Sequence, residues 1–210
     1  MELLVCDMCG TMVNYENAES SWGELAIILG VRDKTKKLYD EWEENPDYSY
    51  LKFTNDVVGI LVENGLRKEH IRELKQNSKI KDDLDDLVEF SDGNSMEKII
   101  ITGGIGNVAE LVMSEYGFDE CYSSCTFRFD ESGDVSSYTL QKCGSSESKL
   151  KALKEHIKNK DLHIDEVVFI GDDHNDNHLA EKVEDSFNVG HKDLNSTYDV
   201  ESLKDIPNYL

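Results

Sequence analysis

Short apolar runs that break into polar, glycine-containing turns mark the two ends of this 210-residue chain, and its middle follows a different rhythm. ELLVC (residues 2–6) breaks at DMCGT, and KIII (98–101) breaks at Thr102-Gly103-Gly104. EVVFI (166–170) breaks at Gly171-Asp172-Asp173-His174-Asn175-Asp176. Runs of this length, bounded by turns, predict strands buried on both faces, as in a parallel sheet. Between and after them, NVAELVMSEYG, SESKLKALKEHIK and DNHLAEKV space their apolar residues as helices do, with Gly117 a C-cap and Ser146 or Ser148 near an N-cap. CTFRFDESGDVSSYTL alternates on both sides of a glycine turn, as a β-hairpin does, and the stretch from DSFNVG adds a last strand and a short helix.

Residues 14–91 read as a helical insert. NAESSWGELAIILG, TNDVVGILVENG, KEHIRELKQN and DDLDDLVEF carry the helical period, with Asn45-Pro46 and Asn64-Gly65 as turns between helices. Outside the insert, strand and helix alternate. That pattern predicts a doubly wound α/β core from residues 1–13 and 92–210, with its site at the carboxyl ends of the strands.

Charge narrows the partners. Lys and Arg number 22 against 44 Asp and Glu, a formal net charge of -22, which repels nucleic acid and anionic membrane surfaces. No apolar run approaches the roughly 20 residues of a transmembrane helix, and MELLVCDMCG has no basic leader. Five cysteines without a disulfide framework fit reduced thiols. The expectation is a cytoplasmic protein, a monomer or homodimer, acting on a small molecule.

In a parallel sheet the three polar turns meet on one edge. Asp7, Asp172 and Asp176 then lie together, with the Thr102 hydroxyl and glycine-rich backbone beside them. Crowded carboxylates repel unless a cation joins them, and hard oxygen ligands that leave room for water and phosphate suit Mg²⁺. Lys149, early in the helix before the last of these strands, brings positive charge for a phosphate.

Four motifs in this order resemble those of the haloacid dehalogenase (HAD) superfamily, over nearly the whole chain. Asp7-Met8-Cys9-Gly10-Thr11 resembles its DxDGT nucleophile loop, and Thr102-Gly103-Gly104 its second motif. Lys149, 23 residues before Asp172, fits the third, and Asp172 with Asp176 the acidic GDxxxD motif. The resemblance implies that Asp7 is the nucleophile of an aspartyl-phosphate, and that Mg²⁺ is held by Asp7, Asp172, Asp176 and the Cys9 backbone carbonyl. Thr102, Gly103, Lys149 and Asn175 are implied to bind the phosphoryl group. It also implies that the insert is a helical cap over a small phosphorylated substrate. The phosphoserine phosphatase group is the most similar branch: Glu16 lies where that group has a substrate-facing glutamate. If Phe53 is that group's cap phenylalanine, its substrate-binding arginine falls on Ile60, which argues against phosphoserine; Arg67 or Arg72 would have to substitute.

Cys9 is the other departure. Phosphatases of this family carry a second aspartate there, which protonates the leaving oxygen and activates water, a contribution of roughly 10²–10⁴-fold. A thiol of pKa about 8.5 does neither well. The leading expectation is therefore a Mg²⁺-dependent phosphatase, slowed by Cys9. The alternative is a catalytically impaired phosphate- and Mg²⁺-binding protein or a phosphotransferase, and an acidic interaction protein is a more distant one. Cys6 and Cys9 form a CxxC, but strand alternation turns Cys6 away from Asp7. His174 and His178 read as surface residues, and Cys121 with Cys125 lacks the second ligand pair of a zinc site.

Overall fold

A computed structural model describes residues 1–45, 47–141, 143–190 and 193–210; Pro46 of the expected Asn45-Pro46 turn lies outside them. The chain runs β1 (Leu3–Cys6), β2 (Val13–Tyr15), α1 (Ser21–Ile28), α2 (Arg32–Glu44), α3 (Tyr50–Glu63), α4 (Lys68–Asn77), β3 (Ser78–Ile80) and α5 (Leu84–Gly93). It continues through β4 (Glu97–Ile105), α6 (Gly106–Tyr116), β5 (Glu120–Phe129), β6 (Val135–Leu140) and α7 (Ser146–Lys160). After these come β7 (Val167–Gly171), α8 (Asn177–Ala180), β8 (Asp185–Asn188) and β9 (Tyr198–Asp199).

Seven strands form one sheet in the order β6-β5-β4-β1-β7-β8-β9, parallel except for the β5–β6 hairpin. Alternate side chains of the central strands enter two separate apolar layers. Leu3, Val5, Ile99, Ile101, Val167 and Phe169 pack with Leu153 of α7 and Leu179 of α8. Leu4, Cys6, Ile100, Val168 and Ile170 belong to the opposite layer, with Val108 and Val112 of α6. Apolar burial on both faces is why these strands read as unbroken runs rather than alternating ones. The architecture is the expected doubly wound α/β core carrying a helical insert. No helix among the described residues is long and apolar enough to cross a membrane.

Register fixes the site. Cys6 pairs with Ile100 on one side and Ile170 on the other. Asp7, whose N–H donates to the Ile170 carbonyl at 2.9 Å, therefore sits one residue short of the level of Thr102 and Asp172. β4 differs from its expected ending: it runs on through Gly103 and Gly104 to Ile105, with its pairing to β5 slipping between Thr102 and Ile105. That irregularity takes up the glycine pair without ending the strand.

Two features of the insert were not expected from the sequence. β2 and β3 pair antiparallel, Val13 with Ile80 and Tyr15 with Ser78, and form a two-stranded stem at its base. α2 is a full helix despite its charge, since Leu38 and Trp42 pack on the core while most of its charged residues face solvent. α5 packs on the C-terminal 3-10 turn Leu203–Asn208, where the Asp83 carboxylate accepts from the Ser202 hydroxyl at 2.5 Å and the Leu203 N–H at 2.7 Å. Ser145, one residue before the expected position, caps α7 and shares a capping box with Ser148.

Glu24, fully buried in α1, ties the stem together. One carboxylate oxygen accepts from the Asn17 N–H at 3.0 Å; the other accepts from the Asn17 amide at 3.0 Å and the Asn77 amide at 2.7 Å. Removing it takes the shared charged acceptor from donors of exposed Asn17 and half-buried Asn77 where α1, α4 and the end of β2 meet, and a hydrogen bond to a charged group contributes about 1.5–3 kcal/mol. Glu24→Ala is expected to lose about 2–3 kcal/mol of stability by urea unfolding; an unchanged midpoint would show that this clamp does not hold the stem.

Candidate active site

Three strand ends and one helix start deliver the charged groups to a single point. β1 presents Asp7, β7 presents Asp172 and, through the 3-10 turn after it, Asp176, while the first turn of α7 presents Lys149. Carboxylate oxygens of the three aspartates lie within 4.8 Å of one another. Lys149 Nζ, fully buried, donates to Asp7 Oδ1 and Asp176 Oδ1 at 2.6 Å each, and is 3.4 Å from Asn175 Oδ1. Burial alone would lower the pKa of this ammonium. Asp176 and Asp7 at bonding distance reverse that and hold it above its ordinary value. Burial pushes Asp176 up to about 7 against the opposing pull of Lys149, with Asp7 and Asp172 adding to the rise.

The backbone is shaped around these carboxylates. Gly10 has φ +84°, and a Cβ there would fall 2.1 Å from Asp172 Oδ2, so a side chain is excluded by both conformation and space. Thr11 Oγ1 donates to Asp172 Oδ1 at 3.0 Å. The second carboxylate oxygen of Asp176 is buried without a hydrogen-bond partner. An orphaned buried oxygen beside two further carboxylates is a donor set that a hard divalent cation satisfies, so these residues fit Mg²⁺.

Above the cluster opens a cleft of about 720 Å³, with Asp7, Thr102, Gly103, Asp172 and Asn175 among its lining residues. Thr102 Oγ1 accepts from the Gly104 N–H at 3.0 Å and keeps its own hydrogen to donate. Glu16 is exposed and lines the same cleft, in the segment between β2 and α1. The structure thus brings Asp7, Thr102, Gly103, Lys149, Asp172, Asn175 and Asp176 together, with Lys149 and Asp176 beneath the cleft floor. Cys9 also lines the cleft, its Sγ 3.7 Å from the Tyr15 hydroxyl and 3.8 Å from the Ser21 hydroxyl. Burial, and then the Asp7 charge, push its thiol up to about 11.

Several lining residues carried no sequence signal. Trp22 Nε1 and the Tyr50 hydroxyl both donate to the Gly103 carbonyl, each at 2.8 Å, so two helices of the insert are tied to the glycine pair. Tyr50 lies so close over Gly144 that a Cβ there would stand 1.6 Å from its ring. Tyr39, Trp42 and Phe53 continue an aromatic wall, and Arg32, Thr35 and Lys36 of α2 line the same cleft. Ile60 is not among the lining residues. Arg67 is not among them either: its guanidinium donates to the Ser132 carbonyl at 2.5 Å and pairs with Asp134, binding the insert to the β5–β6 hairpin. The five cysteines are unpaired thiols, so Cys6 and Cys9 form no disulfide, and His174 and His178 are exposed.

Comparison with known proteins agrees with this geometry. The model of the haloacid dehalogenase-like hydrolase family matches residues 5–181. A substrate-bound phosphoserine phosphatase complex superposes with a TM-score of 0.79 at 16% identity, covering 100% of this chain and 99% of that one. Phosphoserine phosphatase from T. onnurineus gives a TM-score of 0.71 at 20% identity, covering 99% of this chain and 93% of that one. A HAD family hydrolase from Salmonella enterica serovar Typhi gives 0.72 at 17% identity; the match covers 89% of this chain but 62% of that longer one. At these identities the likeness is one of fold. No curated protein sequence matches significantly.

Lys149 is expected to be the mainstay of the cluster. Lys149→Met leaves Asp7 and Asp176 buried without their shared cation, and breaking a buried ion pair from one side costs about 3–5 kcal/mol. Urea unfolding in EDTA should register a loss of that size; an unchanged midpoint would show that the ammonium does not hold the site together.

Proposed function

Since the chain belongs to the haloacid dehalogenase-like hydrolase family, we propose that it is a Mg²⁺-dependent phosphatase that transfers the phosphoryl group of a small phosphorylated metabolite to Asp7 and then to water. The observation that carries this reading is the buried Asp7–Lys149–Asp176 cluster, with Asp172 beside it, on the floor of a cleft closed by helices of the insert. Within that reading, residues 14–91 are the cap, and Asp7, Asp172, Asp176 and the Cys9 carbonyl hold the metal. When bound, Mg²⁺ supplies charge stabilisation to the transferring phosphoryl oxygens and lets Asp7 approach a dianion.

The chain's own residues account for the rest. Lys149 holds Asp7 in place, with one carboxylate oxygen pinned at 2.6 Å. The Thr102 hydroxyl, the Gly103 backbone and Asn175 surround the phosphoryl group, so positioning and electrostatics supply most of the barrier reduction. Asp7 attacks phosphorus in line and forms an aspartyl-phosphate; water then attacks that phosphorus and regenerates the carboxylate. Glu16, at the rim, faces the substrate's distal part.

A second reading has a specific basis. Cys9 stands where a proton donor serves the leaving oxygen, so a holding or transfer role, in which the aspartyl-phosphate persists, is the rival. Phosphate release from p-nitrophenyl phosphate and a panel of metabolites, with and without Mg²⁺, separates the two. Wild type is expected to turn over only with Mg²⁺, and Asp7→Asn to be silent. Cys9→Asp is expected to gain roughly 10²-fold on alkyl phosphates. Activity retained in Asp7→Asn would sink the nucleophile assignment; a silent wild type that Cys9→Asp awakens would favour the rival.

A further inference from the structure

The part of the cleft away from Asp7 has a chemistry of its own. α2 and the start of α3 set four rings edge to face and face to face. Trp42 and Phe53 stack with centroids 5.5 Å apart at 25°, Tyr50 meets Trp42 at 5.3 Å and 79°, and Tyr39 meets Trp42 at 5.7 Å. All four line the cleft that Asp7 also lines. Tyr50 is held in place by its hydroxyl bond to the Gly103 carbonyl, so the aromatic wall begins at the phosphoryl-binding backbone itself. Arg32, at the start of α2, brings positive charge to the same cleft, while Lys36, one helical turn on, is paired with Asp40 at 2.6 Å. No cationic side chain of α3 or α4 is among its lining residues, Arg67 being engaged by the hairpin.

The reacting end imposes a second, independent condition. With a thiol at position 9, the leaving oxygen must depart without a carboxylic acid to protonate it. An alkoxide, nearly as basic as hydroxide, departs badly under that condition. A phenolate, whose conjugate acid has a pKa of about 10, departs far more readily. Aromatic walls and a missing acid therefore select for the same thing, an oxygen attached directly to an aromatic ring.

We infer that the substrate is the phosphomonoester of an aromatic hydroxyl, its ring against Trp42 and Phe53 and any anionic substituent towards Arg32. This rests on the phosphatase reading above and specifies its substrate class. Asp7 Oδ bonds to phosphorus as the phosphorus–aryl oxygen bond breaks. The aryl oxygen leaves with the electron pair as a phenolate and is protonated by solvent. Water then bonds to phosphorus, the phosphorus–Asp7 bond breaks, and carboxylate, inorganic phosphate and a proton to solvent are released.

The test compares kcat/KM for phenyl phosphate, phosphoserine, glycerol phosphate and acetyl phosphate in wild type, Trp42→Ala, Trp42→Phe and Cys9→Asp, all with Mg²⁺. Wild type is expected to prefer phenyl phosphate over both alkyl esters by about 10²-fold or more. Trp42→Ala is expected to raise KM for phenyl phosphate about five- to tenfold more than for acetyl phosphate, which has no ring. Trp42→Phe, which keeps a ring, should cancel most of that extra rise, which a general loss of folding would not allow. Cys9→Asp should narrow the preference by speeding the alkyl esters. Equal rates on aryl and alkyl esters, or a Trp42→Ala effect that is the same for phenyl and acetyl phosphate, would overturn the substrate class while leaving the phosphatase intact. Silence towards every ester in wild type and Cys9→Asp alike would overturn the phosphatase reading itself.

Discussion

Three carboxylates meet one ammonium at the carboxyl edge of the sheet, and most of the molecule's architecture serves to make that meeting tolerable. Lys149 is 0% exposed and reaches Asp7 and Asp176 at 2.6 Å each. Burying a lone ammonium or a lone carboxylate costs several kcal/mol, so each is admissible only because the others are there. That constraint ties together segments distant in sequence, since Asp7 and Lys149 are 142 residues apart. It also dictates small residues nearby: a Cβ on Gly10 or Gly171 would intrude on Asp172 or Asp176. The strand order places β1 between β4 and β7, where the connections diverge to either side, and a crevice opens there in a doubly wound sheet.

Two helices of the insert share one acceptor at this edge. Gly103 lies in the irregular extension of β4, and its carbonyl receives Trp22 from α1 and Tyr50 from α3. Glycine at this point permits the close approach, because a Cβ there would lie 3.0 Å from the Tyr50 hydroxyl. The same residue thus joins α1 and α3 to the extension of β4. Tyr50 meets Gly103 and Gly144 at once, so one side chain of α3 spans both glycines.

How much of this could be read from sequence follows from which signals are local. β1, β4 and β7 announce themselves as apolar runs ended by polar turns, and with them come Asp7, Thr102, Asp172 and Asp176. Lys149 was legible through its spacing from Asp172 and its place early in a helix. α2 was not, because RDKTKKLYDEWEE is dominated by solvated charge and offers few apolar positions to set a period. Missing α2 meant missing Arg32, Lys36, Tyr39 and Trp42 as cleft residues. The β2–β3 stem was equally hidden, since three-residue strands 63 positions apart leave no pattern in a sequence window. Trp22 reads as an ordinary helix residue and Tyr50 lies before the expected helix TNDVVGILVENG; only the tertiary fold brings their polar hydrogens to one carbonyl.

Cys9 sits in polar surroundings that a thiol uses poorly. Its sulfur sits near two hydroxyls, of Tyr15 and Ser21, and beside Gly104, where a Cβ would approach it to 3.1 Å. Sulfur is a weak partner for either hydroxyl, and contacts of 3.7 and 3.8 Å contribute little. A carboxylate is a far better acceptor, so the pocket around position 9 is chemically suited to one. On the phosphatase reading, side-chain identity at one position, rather than a rebuilt pocket, separates this site from one equipped to protonate an alkoxide. The compensating demand passes to the substrate: where the protein does not stabilise the leaving oxygen, the leaving group must do so itself, and the ring-lined half of the cleft is where such a group would lie.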